Sequence, residues 1–227
     1  GTFVSKNDAQ GTMNVRVPLS QLDALYALPG FYYFETLPDE GQPENLVGRT
    51  NHRSNTLYTE YGPGLPYNGE GVNVMMQDDG EIGPHIDYTG RIDQSTCSGC
   101  STNPANDHGD HVSGTIMGAG NLDPDYRGMA NGVNLDVYNS SNNNYNLFPG
   151  LFDNDDIVIT SKSYSNGCNS GYTTLARQLD QQVHDRPQLT HVFSAGNSGT
   201  SDCGYGAGAG WGNITGGHKM GKNVIAT

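Results

Sequence analysis

From Gly71 onward, short apolar runs alternate with segments whose apolar residues recur every three or four positions. Val72-Asn-Val-Met-Met76 reads as a strand that ends at Gln77-Asp78-Asp79-Gly80. A helix starts near His108 and carries Val112, Ile116 and Met117. Val133 to Tyr138 is a strand, and Asp156-Ile-Val-Ile159 is another, buried by its composition. Thr173 to Asp185 is helical, with Leu175, Leu179 and Val183 spaced by one helical turn. Thr190 to Phe193 is a strand that runs into Ser194-Ala-Gly-Asn-Ser-Gly199, and Asn223 to Ala226 begins one more. Strands alternating with helices predict an α/β fold around a parallel sheet.

Residues 1–50 follow a different pattern. Thr12 to Pro18 alternates apolar and polar like a half-buried strand. Ser20 is placed to cap a short helix carrying Leu22, Leu25, Tyr26 and Leu28, which Pro29-Gly30 stops. Phe31 to Glu35 then reads as a second strand, giving a strand–helix–strand unit. Residues 36–56 are polar and rich in Pro, Gly and Asn, as in a linker or processing region. The chain therefore divides into a small unit, 1–50, and a larger domain, 51–227. Asn142 to Asn144 reads as a surface loop.

Composition narrows the function. Eleven Lys and Arg against 24 Asp and Glu leave a net charge of −13, which repels phosphate backbones and argues against a nucleic-acid partner. Thirteen tyrosines among 227 residues argue against disorder. No apolar run reaches the length of a membrane span. No signal peptide remains, and a secreted chain loses its own on maturation. Cys97, Cys100, Cys168 and Cys203 form an even set. Cys97-Ser-Gly-Cys100 has metal-knuckle or redox spacing, but a zinc site needs a second close pair. A thioredoxin-like pair would open a helix after a strand, whereas Asn, Pro, Ser and Thr surround this one. Two structural disulfides, 97–100 and 168–203, are expected, which implies an oxidising compartment; four free thiols are the alternative.

In a parallel sheet, functional side chains gather where the strands end. Three segments carry polar residues at such places: Asp78-Asp79-Gly80; Asp107-His108-Gly-Asp110-His111-Val-Ser-Gly-Thr115, which opens a helix; and Ser194-Ala195-Gly196-Asn197-Ser-Gly199. Singly, these read as a turn, a helix cap and a left-handed loop residue. Together they supply a carboxylate to orient an imidazole, an imidazole to act as base toward a hydroxyl, and an amide to donate to an oxyanion. Those are three of the four parts of an acyl-transfer site.

The same segments, in the same chain order, resemble the subtilisin-like serine proteases, or subtilases. That family has a strand ending in Asp-(Ser/Thr/Asp)-Gly, a His-Gly-Thr-His-Val-(Ala/Ser)-Gly-Thr helix start, and a strand ending in Ala-Gly-Asn. The resemblance covers residues 57–227. It implies a three-layer fold around a mostly parallel sheet, with Asp78 as the triad acid, His108 as the general base and Asn197 as the oxyanion donor. Asp110 replaces the usual Thr, and an acid there is expected to raise the His108 pKa. Ser163, Tyr164 and Ser165 resemble the segment that pairs with an extended peptide substrate, and Ser194, Ala195 and Gly196 the opposite wall of the specificity pocket. The resemblance implies protein or peptide substrates, an extracellular or periplasmic location, no catalytic cofactor and, in many members, structural calcium. Residues 1–50 resemble the later half of a subtilase pro-segment, which implies a zymogen fragment; an ordinary N-terminal extension packing on the domain is the alternative.

The family nucleophile sits in Gly-Thr-Ser-Met-Ala, downstream of the oxyanion Asn, and this sequence has no such motif. Gly199-Thr200-Ser201 is followed by Asp202-Cys203 and shares a loop with Asn197, which is the wrong place for a nucleophile facing His108. The expectation is therefore an incomplete catalytic domain. A second polypeptide, the C-terminal fragment of the same protease, would bring the serine and complete the sheet. The rival readings are an inactive pseudoprotease that binds peptides or acts as a scaffold, and a zinc hydrolase built from Asp78, Asp79, His108, Asp110 and His111.

Overall fold

A computed structural model of the chain describes all residues except 8–11, 31–43, 60–64, 98–106, 140–144, 165–166, 168–170, 205–207, 210–213 and 215. Two compact units are present, Gly1–Gln42 and Pro43–Thr227.

In the first unit, β1 (Thr2–Asn7) pairs antiparallel with β2 (Thr12–Arg16). The expected strand at Thr12 is present, and its partner is a strand the sequence pattern did not reveal. A 3-10 turn, Leu19–Gln21, leads into α1 (Leu22–Tyr26). Ser20 lies inside that turn, and no side chain caps either element. Leu22 and Leu25 are half-buried, whereas Tyr26 and Leu28 stay exposed. The expected strand at 31–35 lies outside the described residues.

In the second unit, α2 (Glu44–Asn51) and α3 (Ser54–Leu57) stand where the sequence predicts a linker. Packing explains the difference. Gly48 approaches Met129 so closely that an added Cβ would meet Met129 Cε at 2.9 Å. Ser54 Oγ donates to the Arg49 carbonyl at 3.3 Å. Such contacts override a weak helix composition.

The main sheet uses β3 (Asn73–Asp78), β4 (Ile92–Asp93), β5 (Asn134–Asn139), β6 (Ile157–Lys162), β7 (Thr190–Phe193) and β8 (Ile225–Ala226). Its order is β4-β5-β3-β6-β7-β8, and every pairing is parallel. The helices are α4 (His108–Met117), α5 (Phe148–Asp155) and α6 (Thr174–Asp185). The Thr173 hydroxyl caps α6 by accepting from the Ala176 N–H. The sequence reading missed β4, which has only two residues, and α5.

Two apolar layers enclose the sheet. Val74 and Met76 of β3 join Leu135 and Val137 of β5 and Val112 and Met117 of α4. Met75, on the opposite face of β3, joins Phe148 of α5, Leu179 of α6, Ile157 and Phe193. Adjacent residues of one strand feed opposite layers because side chains alternate along it. Helices cover both faces, which gives the expected three-layer α/β arrangement.

The strand order places β3 at the topological switch point, with later strands added on each side of it. In doubly wound sheets that is where a crevice opens beyond the strand ends. Leu135 of β5 is fully buried in the apolar layer it shares with β3 and α4, so Leu135→Ala is expected to lower the unfolding free energy by about 2–5 kcal/mol. Urea unfolding checks this: the midpoint should fall at an unchanged slope.

Candidate active site

The last residue of β3 is Asp78, and the first residue of α4 is His108. The Asp78 side chain is 1% exposed, while that of His108 is 52% exposed. Asp78 Oδ1 and His108 Nδ1 lie 2.7 Å apart. The Asp79 N–H donates to the same Asp78 oxygen at 2.9 Å. Burial pushes the Asp78 carboxyl up, opposed by its bond to His108. The bond from Asp78 holds His108 above the ordinary imidazole range, with added attraction from Asp78, Asp79 and Asp107.

The neighbouring acids explain how the helix start is held. Asp79 Oδ1 accepts the Gly109 N–H at 2.8 Å, satisfying one of the unpaired donors at the N-terminus of α4. Gly109 permits this approach: a Cβ there would meet Asp79 Oδ1 at 3.1 Å and Ile82 Cδ1 at 3.3 Å. Asp110 instead accepts the Gly83 N–H at 2.8 Å and is not among the groups that raise His108. The expectation for Asp110 is thus corrected: its carboxylate is turned to the 83 loop. Asp79 and Asp110 both hold backbone amides. Among the described residues, no three His, Cys, Asp or Glu side chains gather to hold a metal ion.

Across the switch point, β6 and β7 bring up the other candidates. Ser163 and Tyr164 follow β6 directly, while Ser165 lies outside the described residues. Tyr164 is half-buried and turned inward, its hydroxyl 3.1 Å from Gln77 Oε1, and burial pushes its phenol up. Ser194 follows β7, and its N–H donates to the Lys162 carbonyl at 2.9 Å. The Ala195 N–H donates to the Thr227 carbonyl. Gly196 has a φ of 101°, a left-handed turn that favours glycine, and it leads into the exposed Asn197. Among the described residues, no hydrogen bond joins Asn197 to Asp78 or His108. Ser201 is exposed on the following turn, its N–H bonded to the Ser198 carbonyl.

Sequence reading missed the polar core beneath these strand ends. Lys162 is 1% exposed, with Nζ 2.6 Å from Thr160 Oγ1 and 4.3 and 4.7 Å from the ring centres of Phe148 and Phe193. Thr160 Oγ1 also bonds the buried His191 at 2.7 Å. Desolvation holds His191 down at about 3 and pushes Lys162 well below the ordinary lysine range. A lysine ending a strand that opens with Ile157-Val-Ile159 was the one available signal. Cys97 is buried in the core with Met76 and Val137. Cys100 and Cys168 lie outside the described residues, so each expected disulfide has one member there; among the described residues no cysteine is a free thiol.

The fold and site define an α/β protein with a buried carboxylate bonded to an exposed imidazole at the switch point of a parallel sheet. Residues 69–226 match the subtilase family, Peptidase S8, and the chain belongs to that family. Its fold is similar to that of the CspB protease of Clostridium perfringens, at 18% identity and a TM-score of 0.52 over 67% of this chain and 41% of that one. It is also similar to a serine protease of Aeromonas sobria (24% identity, TM-score 0.46, 59% of this chain and 26% of that one). A third similar structure is a cold-adapted subtilisin-like serine proteinase (24% identity, TM-score 0.36, 60% of this chain and 50% of that one). The chain thus spans less than half the length of the CspB protease. No curated protein sequence matches it.

The Asp78–His108 bond makes a titration prediction. Asp78→Asn should lower the His108 midpoint in NMR pH titration, because the group that most favours the imidazolium loses its charge. An unchanged midpoint would show that the bond does not govern the ring.

Proposed function

We propose that the chain is the N-terminal part of a secreted subtilisin-like serine endopeptidase. The observation that carries this is the short bond between buried Asp78 and exposed His108, at the switch point of a subtilase fold. His108 Nδ1–H donates to Asp78, which fixes the tautomer and leaves Nε2 as an acceptor facing outward. Nε2 takes the proton of a serine hydroxyl as its oxygen attacks the scissile carbonyl, then returns it to the leaving amine. Asp78 remains ionised and stabilises the imidazolium. The Asn197 amide donates to the oxyanion that forms. Ser163, Tyr164 and Ser165 hold an extended peptide by strand addition, and Ser194, Ala195 and Gly196 form the opposite wall of the specificity pocket. No step uses a cofactor.

The serine comes from outside these 227 residues, because no Gly-Thr-Ser-Met-Ala motif occurs within them. In this reading it belongs to the C-terminal part of the same protease, docked as a second polypeptide beside the short β8. Residues 1–50 are a pro-segment remnant with its linker, and disulfides 97–100 and 168–203 brace the loops. The half-cystine state of Cys97 and Cys203 supports the last point.

In the full-length protein, His108→Ala should leave the circular dichroism unchanged and reduce peptide turnover on the order of 10⁴-fold or more. The wild-type rate should rise with pH as His108 loses its proton, with that limb above the ordinary imidazole range. Wild-type turnover in His108→Ala would contradict the assignment. A folded wild-type protein that binds peptides without cleaving them would establish the pseudoprotease reading instead.

A further inference from the structure

Beneath the ends of β6 and β7, one buried cation reaches back to the peptide-binding segment. Lys219 lies in the 3-10 turn Gly217–Met220 and is 2% exposed. A charge buried this deeply needs a hydrogen-bond partner. Its Nζ donates to the main-chain carbonyl of Tyr164 at 2.8 Å.

The ladder shows what that bond does. Carbonyls along a strand alternate between its two edges. The Lys162 carbonyl accepts the Ser194 N–H, so it faces the β7 side. The Tyr164 carbonyl, two residues on, faces the same way. β7 has ended at Phe193, and Lys219 provides the donor that a longer β7 would have provided. The opposite edge carries the Ser163 carbonyl and faces the β3 side. There Gln77 pairs with Lys162 and β3 stops at Asp78, so among the described residues no strand continues the ladder on that side. An extended peptide adds to an edge of this kind. The Tyr164 hydroxyl fixes the segment a second time, through Gln77.

We propose that Lys219 is a positioning residue for the substrate: its buried ammonium locks the Tyr164 carbonyl and so holds the β3-facing edge of residues 163–164 in register for an extended peptide. This rests on the peptidase reading given above. Among the described residues Lys219 makes no ion pair. His218 of the same turn packs against Phe193 and Tyr145, and desolvation holds it down at about 4. Lys162 ends β6 nearby, and Tyr164 is a phenol pushed up by burial. On α6, which packs against the turn, the Asp180 carboxylate is committed to the Tyr172 hydroxyl and the Asn223 N–H, with Lys222 beside it. Burial alone brings Lys219 down to about 8.

The test is peptide hydrolysis by the full-length protease across pH. Lys219→Met should raise KM about tenfold, the effect of losing one charge-assisted hydrogen bond, with little change in kcat. Lys219→Arg should restore KM at neutral pH. Wild-type KM should rise above pH about 8 as the ammonium loses its proton. In Lys219→Arg it should stay level, because guanidinium keeps its charge. A wild-type KM in Lys219→Met, or an alkaline KM rise that persists in Lys219→Arg, would overturn the proposal while leaving the peptidase reading intact. Should Lys219→Met fail to fold, the Lys219→Arg pH profile decides alone. Wild-type protein with neither turnover nor labelling by a fluorophosphonate would overturn both.

Discussion

Asp78 is a carboxylate with almost no exposed surface, at the end of a strand whose last five residues are buried. An isolated charge in that position is expensive, and hydrogen bonds must offset its lost hydration. The Asp79 N–H and the His108 ring supply them. Strand and helix are thereby tied together by the groups that the proposed chemistry uses. Asp79 strengthens the tie from the other direction, since its carboxylate receives the Gly109 N–H in the first turn of α4. Two consecutive acids thus have separate tasks: one orients the imidazole and the other seats the helix that carries it.

The remaining elements place the proposed binding surface beside that pair. β6 and β7 run parallel to β3, so their ends reach the same edge of the sheet. On α6, Asp180 accepts the Asn223 N–H at 2.7 Å, which fixes the approach to β8. The Thr227 N–H then donates to the Phe193 carbonyl, and the Thr227 carbonyl accepts from Ala195. The segment leading to Asn197 is therefore set by a helix on one face of the sheet, through a strand of two residues. Lys219 treats Tyr164 in a comparable way, replacing a missing ladder donor with an ammonium.

Legibility from sequence followed the strength of the local pattern. The long signals, such as Leu175, Leu179 and Val183 on α6, returned helices where the spacing placed them, because one buried face is enough to fix the period. β4 was too short to show a period. The helix at Glu44–Asn51 was hidden by a composition that reads as linker, and its Gly48 makes sense only against Met129. The pairing of Asp78 with His108 was legible because a strand end and a helix start are places where polar side chains converge. The direction of Asp110 was not legible, since it depends on the position of the 83 loop. Lys219 was invisible for the same reason: its partner lies 55 residues away.

The most direct measurement is fluorophosphonate labelling of the full-length protein, with the modified residue located by mass spectrometry. The reagent reacts with a serine only when a base such as His108 activates it. The account predicts label on a serine outside these 227 residues, lost in His108→Ala, with gel mobility showing whether that serine is on the same polypeptide. Label on Ser201, or a folded protein that takes up none, would contradict it.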